Sequence, residues 1–434
     1  MLKRISLYCC LLGILCASSQ FVQNCVAEET KAAEKQTEAV QQDPLMKCTP
    51  YLQAIGQDQV TIVWHTTRPA MSWVKYRPTK NKKAEFKTAF HSTYGLKDVG
   101  LTHKVTLKGL QPGTRYTYEI YSKEVKSIRS YKFDLGEEES LKAMNKKEMT
   151  FTTWPKNENI ADFSFVIMND LHGNNDLHKK LINATGLNSA AFACYNGDIL
   201  PDNESKEDIF TRFLNVPTQS YSWAKPFFML RGNHETRGAY SRQLHEAFPT
   251  YTDQYYYTFS YGDVFFVNLD CGEDKVDTSV EYGGLVDYDS YRDQQIPWLA
   301  QVVQSKEYKD ARYRIIFCHM PPVAAGEKKV VIDREYPDGK TETIDNDKGA
   351  WHGPIQIRDK FLPYLLDSGA DILICGHEHA MFWDVAKIGD KSLPIMINDN
   401  KCGMRMDVTA KELTLTTYDQ DAKIVMLKKI PAKK

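Results

Sequence analysis

Apolar positions along this chain fall into short runs, and their spacing changes character near residue 155. From Pro50 onward, β-forming stretches alternate with Gly, Pro and Asn turns. Val60–Trp64, Trp73–Tyr76, His103–Leu107, Arg115–Tyr121 and Met149–Thr153 each read as a strand, with polar and apolar residues alternating in His103–Leu107. Short strands of this kind, spread over about 100 residues, predict a β-sandwich. Trp154–Asn159 reads as a linker. Beyond it, apolar strands are followed by loops and amphipathic stretches. Strands are predicted at Phe163–Met168, Ala190–Tyr195, Pro226–Leu230, Val264–Leu269, Ile315–Cys318 and Ile372–Cys375. Helices are predicted near Leu177–Ala184, Lys206–Leu214, Ser241–Phe248, Tyr291–Gln304 and Gln356–Asp367, with closing strands near Leu413–Thr417 and Val425–Lys429. Buried strands alternating with helices predict a layered α/β core.

The N-terminus has a different pattern. Lys3 and Arg4 precede an apolar stretch from Ile5 to Ala17, and a polar region ends at Cys25-Val26-Ala27. This order predicts an export leader over 1–27, cleaved near Ala27, with a polar tether over 28–44. The apolar stretch is short against the roughly 20 residues of a membrane span, so no transmembrane segment is expected once the leader is gone. A periplasmic or secreted protein follows, and a lipid anchor on Cys16 or Cys25 is the competing reading. Six cysteines remain after cleavage, without a CxxC pair, and three of them sit in apolar strands. They read as packing residues rather than a disulfide framework.

Charge narrows the partners. The 55 Lys and Arg against 56 Asp and Glu leave a net charge of −1. No basic surplus exists to grip a nucleic-acid polymer, so none is expected. The lysine-rich stretches Lys80–Lys87 and Lys142–Lys147 read as solvated loops.

Five blocks carry the candidate chemistry, each just after a predicted strand, where α/β folds place their sites. They are Asn169-Asp170-Leu171-His172-Gly173, Asn196-Gly197-Asp198, Arg231-Gly232-Asn233-His234-Glu235, Cys318-His319 and Cys375-Gly376-His377-Glu378-His379. They contain five of the eleven histidines. Nitrogen and oxygen donors without thiolates suit Mn, Fe or Zn rather than Ca²⁺. A Gly-Asp turn or a lone histidine alone says little. The ordered conjunction of all five carries the inference.

This set resembles the signature of the calcineurin-like metallophosphoesterase superfamily: Asp-x-His, Gly-Asp, Gly-Asn-His-Asp/Glu, His and Gly-His-x-His. The resemblance spans 160–434 and implies a four-layer sandwich, two central β-sheets flanked by helices. The segment 45–155, opening with Pro50-Tyr51-Leu52-Gln53, resembles the fibronectin type III-like N-terminal domain of purple acid phosphatases. Carried over by position, the family implies that Asp170, His172 and His379 hold one divalent ion. Asn233, His319 and His377 would hold a second, and Asp198 would bridge them. It further implies attack on phosphorus by a hydroxide between the metals, with His234 as general acid. The expected activity is hydrolysis of small phosphate mono- or diesters. Nucleotide pyrophosphatase or cyclic phosphodiesterase activity on the same centre is the alternative, and an inactive surface binding protein a remote one.

One departure separates the chain from purple acid phosphatases proper. Their iron-binding tyrosine follows the bridging aspartate by three positions, where this chain has Pro201, and their first block lacks the counterpart of His172. A colourless pair of divalent ions is therefore expected. The segments Cys271–Arg292 and Val323–Pro354 are candidates for the substrate wall, with Trp351-His352-Gly353 and Tyr282-Gly283-Gly284 as groups that can meet a substrate.

Overall fold

The computed structural model describes residues 44–141, 148–326 and 329–433. The leader over 1–27, the tether over 28–44 up to its last residue, and Lys142–Lys147 lie outside the described residues. Residues 46–434 form one compact unit.

Period-2 alternation builds its core. In Phe163–Met168, Phe165 and Ile167 enter one apolar layer while Val166 and Met168 enter another. In Tyr313–Phe317, Ile315 and Phe317 point to that first layer, and Ile316 points to a third. Successive strand residues face opposite sides of a sheet, so strands that are apolar on both faces must be covered twice. The result is two sheets face to face with helices outside each. The six-stranded sheet runs Phe227–Leu230, Ala193–Asn196, Phe163–Met168, Cys402–Val408, Glu412–Asp419, Ile424–Pro431. The eight-stranded sheet runs Tyr257–Tyr261, Val264–Asn268, Tyr313–Phe317, Ile372–Cys375, Lys391–Ile397, Phe382–Ile388, Val331–Glu335, Thr341–Ile344. This is the expected four-layer sandwich.

Helices close the outer faces. Asn175–Ala184 starts where the Asn174 side chain accepts the Leu177 N–H at 3.0 Å, and it lays Leu181 and Ile182 on the six-stranded sheet. Tyr288–Val302 and Leu362–Ser368 cover the eight-stranded sheet through residues such as Leu299, Leu362 and Leu365. The helix predicted at Lys206–Leu214 is present and longer: α-helical Lys206–Ile209, π-helical Phe210–Leu214 and α-helical Asn215–Ser220 follow one another without a break. The helix predicted at Ser241–Phe248 shrinks to the short turns Ala239–Gln243 and Leu244–Ala247.

Ahead of these layers, the two strands expected at Val60–Trp64 and Trp73–Tyr76 are one strand, Val60–Pro78. Its register against Val99–Leu107 shifts between His65 and Ala70. The polar Thr66-Thr67-Arg68-Pro69 interruption is a bulge, not a turn. After it, the strand pairs with Arg115–Arg129 from Ala70 to Pro78. This β-rich part braces the edge of the six-stranded sheet. The Gln53 side chain donates to the Phe227 carbonyl at 2.8 Å, Leu52 N–H to Ser222 O at 3.1 Å, and Tyr51 Oη to Ala247 O at 2.7 Å. Phe227–Leu230 is the edge strand that leads into Arg231–Glu235, so its bracing also anchors that block.

Candidate metal centre

All five blocks emerge at one end of the two facing sheets. Asp170 and His172 follow Phe163–Met168, Asp198 follows Ala193–Asn196, and Asn233 and His234 follow Phe227–Leu230. From the other sheet come His319, after Tyr313–Phe317, and His377 and His379, after Ile372–Cys375. Parallel pairing of Phe163–Met168 with Ala193–Asn196 and of the latter with Phe227–Leu230 puts their carboxyl ends side by side. The sheets are tied there: Asn196 Nδ2 donates to Ile374 O at 3.0 Å, and His319 Nδ1 donates to Asn196 O at 2.8 Å.

Backbone strain is concentrated here. Ten non-glycine residues have positive φ among the described residues, and five are Asp170 (51°), His172 (43°), Asp198 (52°), His377 (73°) and His379 (50°). Each costs roughly 1–3 kcal/mol, so surrounding structure must impose them. Hydrogen bonds do so. Asp170 N–H reaches Gly197 O and His172 N–H reaches Asp198 O, both at 3.0 Å, and His377 N–H donates to Asp170 Oδ2, also at 3.0 Å. Two glycines are required by the crowding. A Cβ on Gly197, whose φ is 83°, would lie 2.4 Å from His319 Nδ1, and one on Gly232 would lie 2.2 Å from Asp198 Oδ1.

The donor atoms converge. Asp170 Oδ1 accepts no hydrogen bond, though it is buried, and it lies 3.3 Å from His379 Nε2 and 3.8 Å from both His172 Nε2 and His319 Nε2. His172 Nε2 and His379 Nε2 are 2.9 Å apart. Asp198 Oδ2 lies 3.1 Å from His319 Nε2, which also accepts and donates nothing in hydrogen-bond geometry. Three overlapping groups have ligand atoms within 4.8 Å of one another: Asp170, His172 and His379; His172, Asp198 and His234; Asp198, His319 and His377. Asp198 is shared between two of them. The Asn233 amide oxygen is 3.1 Å from His377 Nδ1. Turning that amide over would put its nitrogen on His377 Nδ1 and, at 3.2 Å, on Asp198 Oδ2, so the oxygen faces acceptors. Carboxylate and imidazole ligand atoms crowded together, with the buried Asp170 Oδ1 and His319 Nε2 left unpartnered, suit a cation.

Electrostatics agree. Burial opposes charge on His319, but Asp198 and Asp170 outweigh it and hold the imidazole well above its ordinary value. Burial would raise Asp198, yet His319 and His234 pull it below the usual carboxylate range. Burial, reinforced by the His319 charge, drives His377 down to about 4, leaving it a neutral donor. The carboxylates therefore favour positive charge at the point where the imidazoles meet. His319 donates through Nδ1 to Asn196 O, which leaves Nε2 as its free ligand atom.

His234 differs from its neighbours. Its backbone N–H donates to Asp198 Oδ1 at 2.9 Å, Nδ1 pairs with Pro201 O at 2.6 Å, and Nε2 pairs with Arg237 Nη1 at 3.0 Å. The structure also contributes residues that sequence reasoning did not single out. Glu235 is fully buried and accepts the backbone N–H groups of Asp198, Gly232 and Leu200 at 2.7, 2.8 and 2.9 Å. Burial and the Asp198 charge raise its carboxyl to about 7. Asn169 Nδ2 donates to Asp170 Oδ2 at 2.6 Å and is locked to Asn398, whose Nδ2 donates to Asn169 Oδ1 at 2.7 Å. Arg237, Glu273 and Asp274 form a salt-bridged cluster beside His234 and Asn233. Glu235 sat inside the Gly-Asn-His-Glu block and was legible as part of it. Asn169 likewise opened the Asp-x-His block, whereas Asn398, Arg237, Glu273 and Asp274 carried no spacing signal.

A cavity of about 550 Å³ opens onto Asp198, Asn233, His234, His377 and His379. Both candidate wall segments border it, the first through Asp274 and Lys275 and the second through Asp347 and Trp351. Trp351 is 53% exposed, and its ring centroid is 6.3 Å from that of His377. The second segment holds the hairpin Val331–Glu335/Thr341–Ile344 on the edge of the eight-stranded sheet. His352 is turned away onto Asp289 at 2.8 Å. Tyr282 and Gly283 lie in the same first segment as Lys275, where Tyr282 borders a neighbouring cavity.

A family model described as calcineurin-like phosphoesterase matches residues 163–381, and one described as the N-terminal domain of purple acid phosphatase matches residues 48–135. Among solved structures the chain is similar to a purple acid phosphatase isolated from yellow lupin (Lupinus luteus) seeds, at 15% identity and a TM-score of 0.57, covering 88% of this chain and 74% of that one. It is also similar to PhoD, at 12% identity and a TM-score of 0.53, covering 89% of this chain and 92% of that one. At these identities the likeness is one of fold.

Proposed function

The chain belongs to the calcineurin-like phosphoesterase family, a family of metal-dependent phosphoester hydrolases, and on that premise we propose that it is an exported enzyme using two divalent ions to hydrolyse small phosphate mono- or diesters. The observation that carries this reading is the clustering of strained backbone and unpartnered donors: five positive-φ residues surround the open Asp170 Oδ1 and His319 Nε2. Strain of that kind persists only where surrounding structure imposes it, and it clusters at functional sites.

Asp170, His172 and His379 would hold one ion, Asn233, His319 and His377 the other, with Asp198 between them. When bound, such a pair supplies positive charge to phosphoryl oxygens and makes water between the metals acidic enough to deprotonate near neutral pH. Mn, Fe and Zn all suit this donor set. Pro201 stands where purple acid phosphatases have their iron-binding tyrosine, so the loaded protein is expected to be colourless.

The chain's own groups do the rest. Asp198 is aimed by Glu235 and by the His234 backbone. His234 pairs Nδ1 with a carbonyl, so Nε2 is the atom left to meet the leaving oxygen, and it protonates that oxygen when the ring carries a second proton there. The cavity is wide enough for a small phosphorylated substrate, and the balanced net charge speaks against a nucleic-acid polymer.

The test is a panel of mono- and diesters, including nucleotide anhydrides and cyclic nucleotides, after chelation and reloading with Mn²⁺, Zn²⁺ or Fe²⁺. Metal-dependent turnover that falls at least 100-fold in Asp198→Asn and in His234→Ala is expected. Turnover unchanged by both substitutions would sink the reading, and a tyrosinate-to-iron band would sink the colourless centre.

A further inference from the structure

Two long cations border the cavity, Arg237 and Lys275. Lys275 is tied to Glu281 at the surface. Arg237 is built in differently. Its Nε and Nη2 engage the two carboxylate oxygens of Glu273 as a fork, with Nη2 at 3.2 Å from Oε2. Nη2 also reaches Asp274 Oδ2 at 3.4 Å. Glu273 is buried and is aimed in turn by the Asp274 backbone N–H at 2.7 Å. Asp274 Oδ2 also accepts from Asn233 Nδ2 at 3.4 Å, so the cluster is continuous with the candidate ligands. One edge of the guanidinium is thus spent on fixed carboxylates. Nη1, which makes none of these carboxylate bonds, meets His234 Nε2 at 3.0 Å.

That contact is chemically unfinished. With Nδ1 paired to Pro201 O, His234 Nε2 accepts from Arg237 in the resting pair. A group meant to give a proton from Nε2 cannot do so while a guanidinium donates to it. An anionic oxygen entering the cavity is a better acceptor for Nη1 than a neutral imidazole. Resting on the phosphoesterase reading above, we propose that Arg237 binds a nonbridging phosphoryl oxygen of the substrate through Nη1, and that this exchange frees His234 Nε2 to take a proton from solvent water and hand it to the leaving oxygen.

The paired carboxylates also say what kind of binding this is. Glu273 and Asp274 offset the charge of Arg237, so its contribution is a hydrogen bond of fixed direction rather than added field. A lysine, a point charge on a flexible stem, cannot reproduce a fork pinned on Glu273 with a nitrogen to spare. Arg237→Lys should therefore recover little of what Arg237→Gln loses.

Titration calorimetry of inorganic phosphate into the metal-loaded protein tests this without turnover, alongside kinetics on p-nitrophenyl phosphate. Phosphate affinity is expected to fall about 10- to 100-fold in Arg237→Gln, the span of one charge-assisted hydrogen bond. KM should rise by a similar factor, kcat should change less because no guanidinium then holds His234 Nε2, and Arg237→Lys should regain no more than about 3-fold. Phosphate affinity within about 3-fold of wild type in Arg237→Gln, or full recovery by lysine, would overturn the assignment. Should Arg237→Gln fail to fold, Glu273→Gln keeps the arginine but weakens its fork, and unchanged phosphate affinity there overturns it equally. Wild-type protein and Asp198→Asn are run in parallel. Absence of metal-dependent turnover in wild type defeats the phosphoesterase reading itself, whereas an active wild type with indifferent Arg237 variants defeats only this inference.

Discussion

Glu235 Oε2 accepts the backbone N–H of Asp198 at 2.7 Å, across 37 residues of sequence. The same carboxylate takes the N–H groups of Gly232 and Leu200, so one buried side chain fastens two strand-end loops. Glu235→Gln replaces one acceptor oxygen by a donor facing a donor. A buried N–H then goes unpaired, at a cost of about 1–3 kcal/mol. Urea denaturation should show that loss, and kcat/KM should fall at least 10-fold because Asp198 loses its aim. A variant with wild-type stability and activity would show that the clamp is dispensable.

Gly197 sits between Asn196 and Asp198 with its α-carbon facing the His319 ring. Gly197→Ala adds a Cβ where φ is 83° and only 2.4 Å separates it from Nδ1. The ring must move, and its bond to Asn196 O goes with it. Overpacking of this kind costs about 1–3 kcal/mol, before the φ penalty is added. Elemental analysis should show metal content falling toward one ion per chain, since His319 serves only one of the proposed positions. Two retained ions would contradict the shared-wall geometry.

The layered fold and the ligand blocks were legible for the same physical reason: apolar strands such as Phe163–Met168 and Ile372–Cys375 stop abruptly at Asn-Asp or Gly-His. Polar or irregular elements were not. Val331–Glu335 and Thr341–Ile344 pair at a sheet edge, so few of their residues are buried and no alternation marks them. Val60–Pro78 reads as two strands because a bulge and a turn look alike in sequence. Arg237 and Glu273 meet through tertiary packing across 36 residues, which no local spacing encodes. The eight proposed site residues do converge, and what was missed is what holds them.

Acid should destabilise the protein through histidines far from the centre. His178 is buried against Tyr195, with Nε2 2.7 Å from the hydroxyl, and burial lowers it to about 3. Between pH 6.5 and 3 the unfolded chain binds a proton there that the folded chain does not, so stability falls as pH falls. The slope is at most about 1.4 kcal/mol per pH unit for one such group. Buried His103, also lowered to about 3, acts in the same direction. His178→Gln keeps an acceptor for Tyr195 and should flatten the decline in denaturation midpoints between pH 7 and pH 5. An unchanged slope would assign the decline to other groups.

Trp154 closes the junction between the β-rich part and the layered core. It is 6% exposed, packs edge-on to Tyr261 at 4.9 Å and lies within 6.1 Å of Phe192, Phe228 and Phe259. Trp154→Ala should cost about 3–5 kcal/mol, the usual range for deleting a buried aromatic. None of those rings touches the metal centre, so activity per folded molecule should stay within about 2-fold of wild type. Loss of turnover in protein shown to be folded would mean that the junction sets the geometry of Arg231–Glu235 through Phe227–Leu230.

Removing metal should lower stability in a way that one substitution reverses. Asp170 Oδ1 is buried among three imidazole nitrogens and has no hydrogen-bond partner. Without a cation, that charge depends on histidines that must become protonated to serve it. Metal at 100 times its dissociation constant adds about 2.7 kcal/mol, readable as a rise in Tm after chelation and reloading. Asp170→Asn removes the buried charge, so its metal-free form should melt no lower than metal-free wild type, and added metal should raise its Tm by less. A metal-free Asp170→Asn that melts well below metal-free wild type would show instead that the carboxylate is satisfied without a cation.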